Sequence, residues 1–275
     1  MRLLDVLDFG VKELGVCSLA PEIESLILLE ETTGKSKEEI IINNDEIDKE
    51  RFVKFKSYLS RRINGEPWQY IVGKTNFLGL DIFTEKEVFI PRAETEVMSV
   101  CAIKKLKGIS NPYIIEIGCG TGAISISIAS KVKRARIIAT DISKRAVRLC
   151  NRNVRYHKLH NRISVVNVDL FKSFDKYNEF DMIISNPPYI LTENLSKIDP
   201  VVKKEPLLAL DGGDNGVDII NEILESAAKF LKVNGLVFIE LDSSNLPYIK
   251  VPDKIKFSYE KDQYNKIRFL FGVKL

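Results

Sequence analysis

Apolar residues in the first third of the chain recur with a helical period. Leu3, Leu4, Leu7, Val11 and Leu14 form one such stripe. The stretch "APEIESLILLEETTG" places Pro21 near a helix start and Gly34 just past its end. "SKEEI" offers a capping box, Ser36 with Glu39. Phe52, Phe55, Leu59 and Ile63 mark a longer helix closed by Gly65. Helices this short are not stable singly, so a small helical-bundle domain is expected over residues 1–70. Its aromatic stripe and the sole tryptophan, Trp68, are expected in the bundle core and at a packed domain junction.

Residues 71–91 then change character. Glycines punctuate the short apolar pieces "TNFLG" and "LDIFT", the pattern of a β-hairpin linker. Beyond Pro91 the chain turns helical, with Glu94 and Glu96 in the first turn, where carboxylates suit the helix dipole. From Tyr113 strands alternate with helices: "YIIEIG", a helix from Gly122, "RIIATD", a helix from Ser143, "ISVVNVDL" and "FDMIISN". A helix over "VDIINEILESAAKFL", a strand "GLVFIELD" and two closing strands, "KIKFSYE" and "KIRFLFGV", complete the pattern. Residues 92–275 are therefore expected to form an α/β domain, a doubly wound and mainly parallel sheet closed by an antiparallel pair.

Composition narrows the class. The 275 residues are 45% hydrophobic and 29% charged, ordinary for a soluble globular protein. A net charge of +3 permits an RNA-associated or protein partner and requires neither. The four cysteines share no close metal-ligand spacing and are expected as reduced thiols. His157 and His160 lie three apart on a basic, solvated helix face without neighbouring ligands, so no metal is expected. No apolar window is long enough to cross a membrane. Asp5 and Asp8 interrupt the N-terminal apolar run, which argues for an amphipathic helix rather than a signal peptide. The expected location is the cytoplasm.

"YIIEIGCGTGA" reads as strand, then Gly118-x-Gly120-x-Gly122, then helix. Its spacing fits neither the G-x-G-x-x-G dinucleotide fingerprint nor a P-loop. Glu116, two residues before the first glycine, would repel a pyrophosphate and attract a cation. The next strand ends in Asp141, where doubly wound folds place a carboxylate on ribose hydroxyls. Asp169 ends the following strand and can accept from an adenine amino group, with Leu170 or Phe171 against the ring. One such acid is a helix cap more often than a ligand. Three around one glycine loop favour a nucleoside without phosphates. A ligand with adenine, ribose and a positively charged aminoacyl tail is S-adenosylmethionine.

"FDMIISNPPYI" ends the fourth strand at Asn186-Pro187-Pro188-Tyr189. Prolines fix φ and donate no backbone hydrogen bond, leaving rigid carbonyls. With the Asn186 carbonyl they can accept both N–H bonds of a planar –NH2 group, on which Tyr189 can stack. Such a nitrogen is a poor nucleophile, so catalysis would be mostly orientation toward a methyl sulfonium. Two substrates fit, the exocyclic amine of adenine or cytosine and the carboxamide of Gln or Asn, and the tetrapeptide does not choose.

The chain resembles the release-factor glutamine methyltransferases, the HemK/PrmC family, a class I methyltransferase group. The resemblance is carried by "GEPWQYIVGKTNFLGLDIF", "VFIPRAETE", "IIEIGCGTGAISISIA", "ATDIS", "FDMIISNPPYI" and "EPLLALDGGDNGVDIINEI". It implies a seven-stranded Rossmann-like domain, a hairpin linker and an N-terminal helical domain that helps dock the substrate. It implies methylation of the glutamine amide in the Gly-Gly-Gln motif of class I peptide-chain release factors. S-adenosylmethionine would be the methyl source and S-adenosylhomocysteine the product. By motif, Gly118, Cys119, Gly120, Thr121 and Gly122 would cradle the methionine part, Asp141 the ribose, and Asp169 with Leu170 the adenine. Asn186 would contact cofactor and substrate amide. Pro187, Pro188 and Tyr189 would form the glutamine pocket, with Arg92 and Glu94 at its mouth. Ala93 replaces a frequent second proline, and "IELDSSN" replaces a commoner pattern. A ribosomal-protein glutamine methyltransferase, a nucleic-acid amino methyltransferase and a binding module without turnover are the rival readings. The enzyme is expected as a monomer without membrane or direct nucleic-acid contact.

Overall fold

Helices α1 (Leu3–Leu14), α2 (Pro21–Thr33), α3 (Lys37–Asn43), α4 (Lys49–Ile63) and α5 (Trp68–Val72) follow one another in the computed structural model, which describes residues 1–175 and 177–275. They belong to the smaller of two units, residues 1–74 with 199–204; the larger holds 75–198 and 205–275. Local signals set the helix ends. Pro21 opens α2 and Gly34 closes it in the left-handed region, φ 72°. Ser36 and Glu39 form both halves of the capping box of α3.

The bundle core is Leu3, Val6, Leu14, Leu28, Leu29, Ile40, Phe55 and Leu59, with Trp68 partly buried against it. Two faces differ from the apolar stripes. In α1 the buried line runs Leu3, Val6, Gly10, Leu14, while Leu4, Leu7 and Val11 flank it. Gly10 has no side chain to register in a hydropathy pattern, yet the Phe55 ring lies on it; a Cβ there would come 2.7 Å from Phe55 Cζ. In α4 Ile63 is 37% exposed, and Arg62 is buried in its place. Arg62 Nε and Nη2 donate to the Glu24 carboxylate at 2.7 and 3.1 Å, which makes its burial tolerable.

From the last residue of the smaller unit onward, β1 (Lys74–Phe77) and β2 (Leu80–Phe83) form a two-stranded sheet ahead of α6 (Ala93–Leu106). The main sheet comprises β3 (Tyr113–Ile117), β4 (Arg136–Asp141), β5 (Ile163–Asn167), β6 (Phe180–Ser185), β7 (Leu231–Glu240), β8 (Ile255–Lys261) and β9 (Ile267–Lys274). Their order is β5-β4-β3-β6-β7-β9-β8, and α7 (Ala123–Lys131), α8 (Lys144–Tyr156) and α9 (Asp218–Phe230) alternate with the strands. The strands from β5 to β7 pair in parallel; β9 runs antiparallel between β7 and β8. The expected doubly wound, seven-stranded sheet with an antiparallel closing pair is the fold observed.

Strand periodicity builds two cores. Ile114, Met182 and Ile184 face a cluster with α6 and α7, among them Met98 and Ile126. Ile115, Ile117 and Ile183 face a second with α9, among them Ile220 and Leu224. One boundary departs from expectation. The strand expected from Gly235 begins at Leu231, directly after α9. Phe180 pairs with Leu231 and Met182 with Leu236, so residues 232–235 bulge. Among the described residues no helix is long and apolar enough to cross a membrane. His157 Nε2 lies 2.8 Å from the Asp81 carbonyl oxygen, and the four cysteines carry free thiols.

Candidate active site

A cavity of about 240 Å³ opens at the carboxyl ends of β3, β4 and β6. The chain goes one way from β3 to β4 and the other way to β6. That makes this the topological switch point, where open α/β sheets bind ligands.

The glycine loop forms the floor. Gly118, Gly120 and Gly122 sit at φ 70°, 52° and 82°, a left-handed run that other residues adopt at a cost. A Cβ on Gly118 or Gly120 would meet nothing within 4 Å, so the loop leaves room beside it. Glu116 lies on the same face of β3 as Ile114 and points to the start of α7. Its Oε2 accepts from the Ser125 amide at 3.0 Å and from the Ser125 hydroxyl. Burial pushes its carboxyl up to about 8, against those two bonds. The acid that the sequence marks as cation-attracting is therefore a Ser125-bound carboxyl that burial keeps mostly protonated near pH 7.

The two following acids differ in setting. Asp141 Oδ2 accepts from Gly120 N at 2.9 Å and Oδ1 from Ser143 N at 2.8 Å. Burial raises its carboxyl and these bonds oppose the rise. Asp169 is partly exposed and paired with Lys172. Leu170 beside it adopts φ 48° and lines the cavity.

Asn186 stands at the wall opposite. Its Nδ2 donates to Thr95 Oγ1 at 2.9 Å, and Thr95 donates to Glu240 Oε2 at 2.7 Å. Among the described residues nothing donates to Asn186 Oδ1 or to the carbonyls of Pro187 and Pro188. Oxygen acceptors are thus gathered at one wall while the amide's donor side is engaged behind it. The backbone after Pro188 is clasped by residues 210–216. Ile190 N donates to Leu210 O at 3.0 Å and Gly212 N to Ile190 O at 2.8 Å. The clasp is close: a Cβ on Gly212 would lie 2.8 Å from Tyr189 Cα. Asn245, in the unusual "IELDSSN" segment, donates to the Tyr189 carbonyl at 3.0 Å.

Gly118, Cys119, Gly120, Thr121 and Asp141 line the cavity, as do Asp169, Leu170, Asn186, Pro187 and Pro188. Gly122, Arg92, Glu94 and Tyr189 do not line it. Arg92 pairs with the buried Glu205 and lies over the Phe89 ring, 4.9 Å from its centroid. Tyr189 packs toward the α9 core, its hydroxyl 3.4 Å from Glu240 Oε1. Burial first, and Glu240 second, raise its phenol well above the ordinary value. Thr95, Glu240 and Glu205 are absent from the sequence reading. Each stands inside or beside a quoted stretch, "IPRAETE", "GLVFIELD" or "EPLLALDGG", but only as an unassigned polar residue.

The model of the PrmC N-terminal domain matches residues 5–73, and that of the methyltransferase small domain matches residues 80–204. A release factor glutamine methyltransferase of Thermodesulfovibrio yellowstonii is 36% identical over 208 residues, 74% of this chain and 74% of its own length. The MTRF1L release factor glutamine methyltransferase of Homo sapiens is 36% identical over 195 residues, 66% of this chain. The match spans 58% of that human relative's length. Among solved structures, the hMettl16 catalytic domain in complex with MAT2A 3'UTR hairpin 1 superposes with a TM-score of 0.56 at 15% identity, over 85% of this chain and 84% of that one. It shares the fold.

Proposed function

The chain belongs to the release factor glutamine methyltransferase family, and on that premise we propose that it methylates the side-chain amide of the glutamine in the Gly-Gly-Gln motif of class I peptide-chain release factors. The observation that carries this reading is the state of Asn186. Its nitrogen is engaged by Thr95, and its oxygen is left for an incoming N–H beside the rigid carbonyls of Pro187 and Pro188.

The cavity's own groups fit S-adenosylmethionine. Asp141 and Asp169 offer carboxylate acceptors for hydroxyl and amino groups, Ile142 and Leu170 an apolar wall, and the glycine loop open space. When bound, that group supplies an electrophilic methyl on a sulfonium. Gly118, Cys119, Gly120, Thr121 and Asp141 would hold it at the floor, with Asp169 and Leu170 at one end. Asn186 Oδ1 and a proline carbonyl would hold the two amide hydrogens of the glutamine and point the nitrogen face inward. Orientation then does most of the work, because an amide nitrogen needs no strong base to be aimed; the N–C bond would form as the sulfonium C–S bond breaks, and one amide proton would leave to solvent. The helical unit is proposed to help dock the release factor, and the enzyme to act in the cytoplasm.

The test is transfer of radiolabel from S-adenosylmethionine to a purified class I release factor, with ribosomes and DNA as competing substrates. Label should enter the release factor and vanish when its Gly-Gly-Gln is changed to Gly-Gly-Ala. Label that survives that change, or that prefers ribosomes or DNA, rejects the assignment.

A further inference from the structure

Glu240, the last residue of β7, is 1% exposed. Among the described residues it has no cation within ion-pair distance. Two hydroxyls reach it instead, Thr95 at 2.7 Å on Oε2 and Tyr189 at 3.4 Å on Oε1. Thr95 has a single hydroxyl proton. With that proton on Glu240, the Thr95 oxygen can only accept, and the group it accepts from is Asn186 Nδ2 at 2.9 Å.

An ionised carboxylate accepts and never donates. It therefore polarises this row one way: Asn186 N–H to Thr95, Thr95 O–H to Glu240. A protonated Glu240 lifts that constraint. Its O–H can donate to Thr95, whose own proton is then free to turn toward the amide. The carboxamide that suits this reversed row has Oδ1 toward Thr95 and –NH2 toward the cavity. That face meets the N–H groups of a substrate amide with more N–H groups.

We propose that Glu240 is a positioning residue for methyl transfer: its charge, relayed through the Thr95 hydroxyl, holds Asn186 with its carbonyl oxygen toward the incoming amide. This rests on the amide-accepting role given to Asn186 above. The surroundings put the switch near neutrality. Burial lifts the Glu240 carboxyl to about 7, opposed by the Thr95 hydrogen bond, by Arg268 on β9 and by the Tyr189 hydroxyl, and reinforced by Glu94 on α6. Arg268 is shared with Asp242, at 3.2 Å, so its charge is not devoted to Glu240. A folded-state value above the ordinary one means the ordered row exists on the alkaline side and is lost as pH falls through about 7.

The experiment has two arms on the full chain. In the first, kcat for release-factor methylation is measured at saturating S-adenosylmethionine between pH 5.5 and 9. Wild type should rise through one ionisation near 7. Glu240→Gln and Thr95→Val should lose that rise and run roughly 10- to 100-fold slower at the alkaline end, with cofactor Kd little changed. Thr95→Ser, which keeps the hydroxyl, should restore both rate and profile. In the second arm, without substrate, the Asn186 side-chain NH2 signals are followed by NMR, assigned by their loss in Asn186→Ala. They should titrate near pH 7 in wild type and Thr95→Ser but not in Thr95→Val. Should Glu240→Gln fail to fold, the Val/Ser pair at Thr95 decides alone. An Asn186 signal that ignores pH, or a Thr95→Val enzyme with the wild-type profile, overturns the relay. A wild type that leaves release factors unlabelled overturns the function instead, and the NMR arm still reports on the relay.

Discussion

The side-chain nitrogen of Asn186 lies 2.9 Å from the Thr95 hydroxyl oxygen, across 91 positions of sequence. This contact uses the donor half of the carboxamide and leaves the acceptor half at the cavity. Removing the carboxamide should therefore affect turnover far more than cofactor affinity. Asn186→Ala is expected to lose at least about 100-fold in kcat, in the range of losing one preorganised hydrogen-bonding group. Its cofactor Kd, by calorimetry, should stay within a few-fold of wild type. Single-turnover methylation at the wild-type rate would sink the amide-acceptor role.

The clasp on Tyr189 makes a second expectation. Gly216 has φ 67°, and a Cβ there would crowd the Tyr189 carbonyl and the Asn245 amide and come 3.2 Å from Leu191 Cδ1. Gly79 has φ 80° but would meet nothing within 4 Å. Alanine at Gly79 should cost about 1–2 kcal/mol, the backbone strain alone. Alanine at Gly216 should cost roughly 1–3 kcal/mol more, because backbone atoms on Tyr189 must move. Denaturant midpoints compare the two, and only Gly216→Ala should also lower kcat. Equal losses at both positions would mean that the clasp yields freely.

What the sequence discloses depends on how far a signal reaches. Pro21, Gly34, Ser36 and Glu39 act within one helical turn, and the alternation of Ile114 and Glu116 with Ile115 and Ile117 lies within one strand. Those elements are legible. The glycine loop and the strand-end residues Asp141, Asp169 and Asn186 converge because parallel strands all end at one sheet edge, which the alternating pattern already implies. Gly10 is illegible because packing against Phe55 needs an absent side chain. Arg62 displaces Ile63 from the core only through Glu24, 38 positions away. Thr95 meets Glu240 across 145 positions, and Ile90 N meets Glu205 across 115. Pairings of that range leave no periodic trace, so the groups behind the cavity wall become visible only in three dimensions. The contacts of Tyr189 with Glu240 and the α9 core are of the same kind, set by residues distant in sequence.

The Arg62–Glu24 pair predicts an asymmetric mutant series in the helical unit. Both side chains are largely buried, at 6% and 13% exposure. Glu24→Gln leaves a buried guanidinium without its counter-charge and should cost about 3–5 kcal/mol. Replacing both residues by Met removes the charge as well as its partner and should recover much of that loss. Urea unfolding of wild type, single and double variants tests the order. A double variant no more stable than Glu24→Gln alone would show that geometry, not charge compensation, holds this site.

Glu116 carries a prediction about stability and pH. Its folded carboxyl stands near 8 against an ordinary 4.5, because burial disfavours the charged form more than Ser125 stabilises it. The fold therefore holds a proton that the unfolded chain releases. Its stabilising effect is complete below about pH 4.5. It then declines by at most about 1.4 kcal/mol per pH unit, and is lost as pH rises through about 8. Glu116→Gln keeps an oxygen for Ser125 and has no proton to lose. Its Tm relative to wild type, measured without cofactor at constant ionic strength, should climb from pH 5 and level off above about pH 8. A difference that stays flat over that range would show that the carboxyl is already ionised in the folded protein.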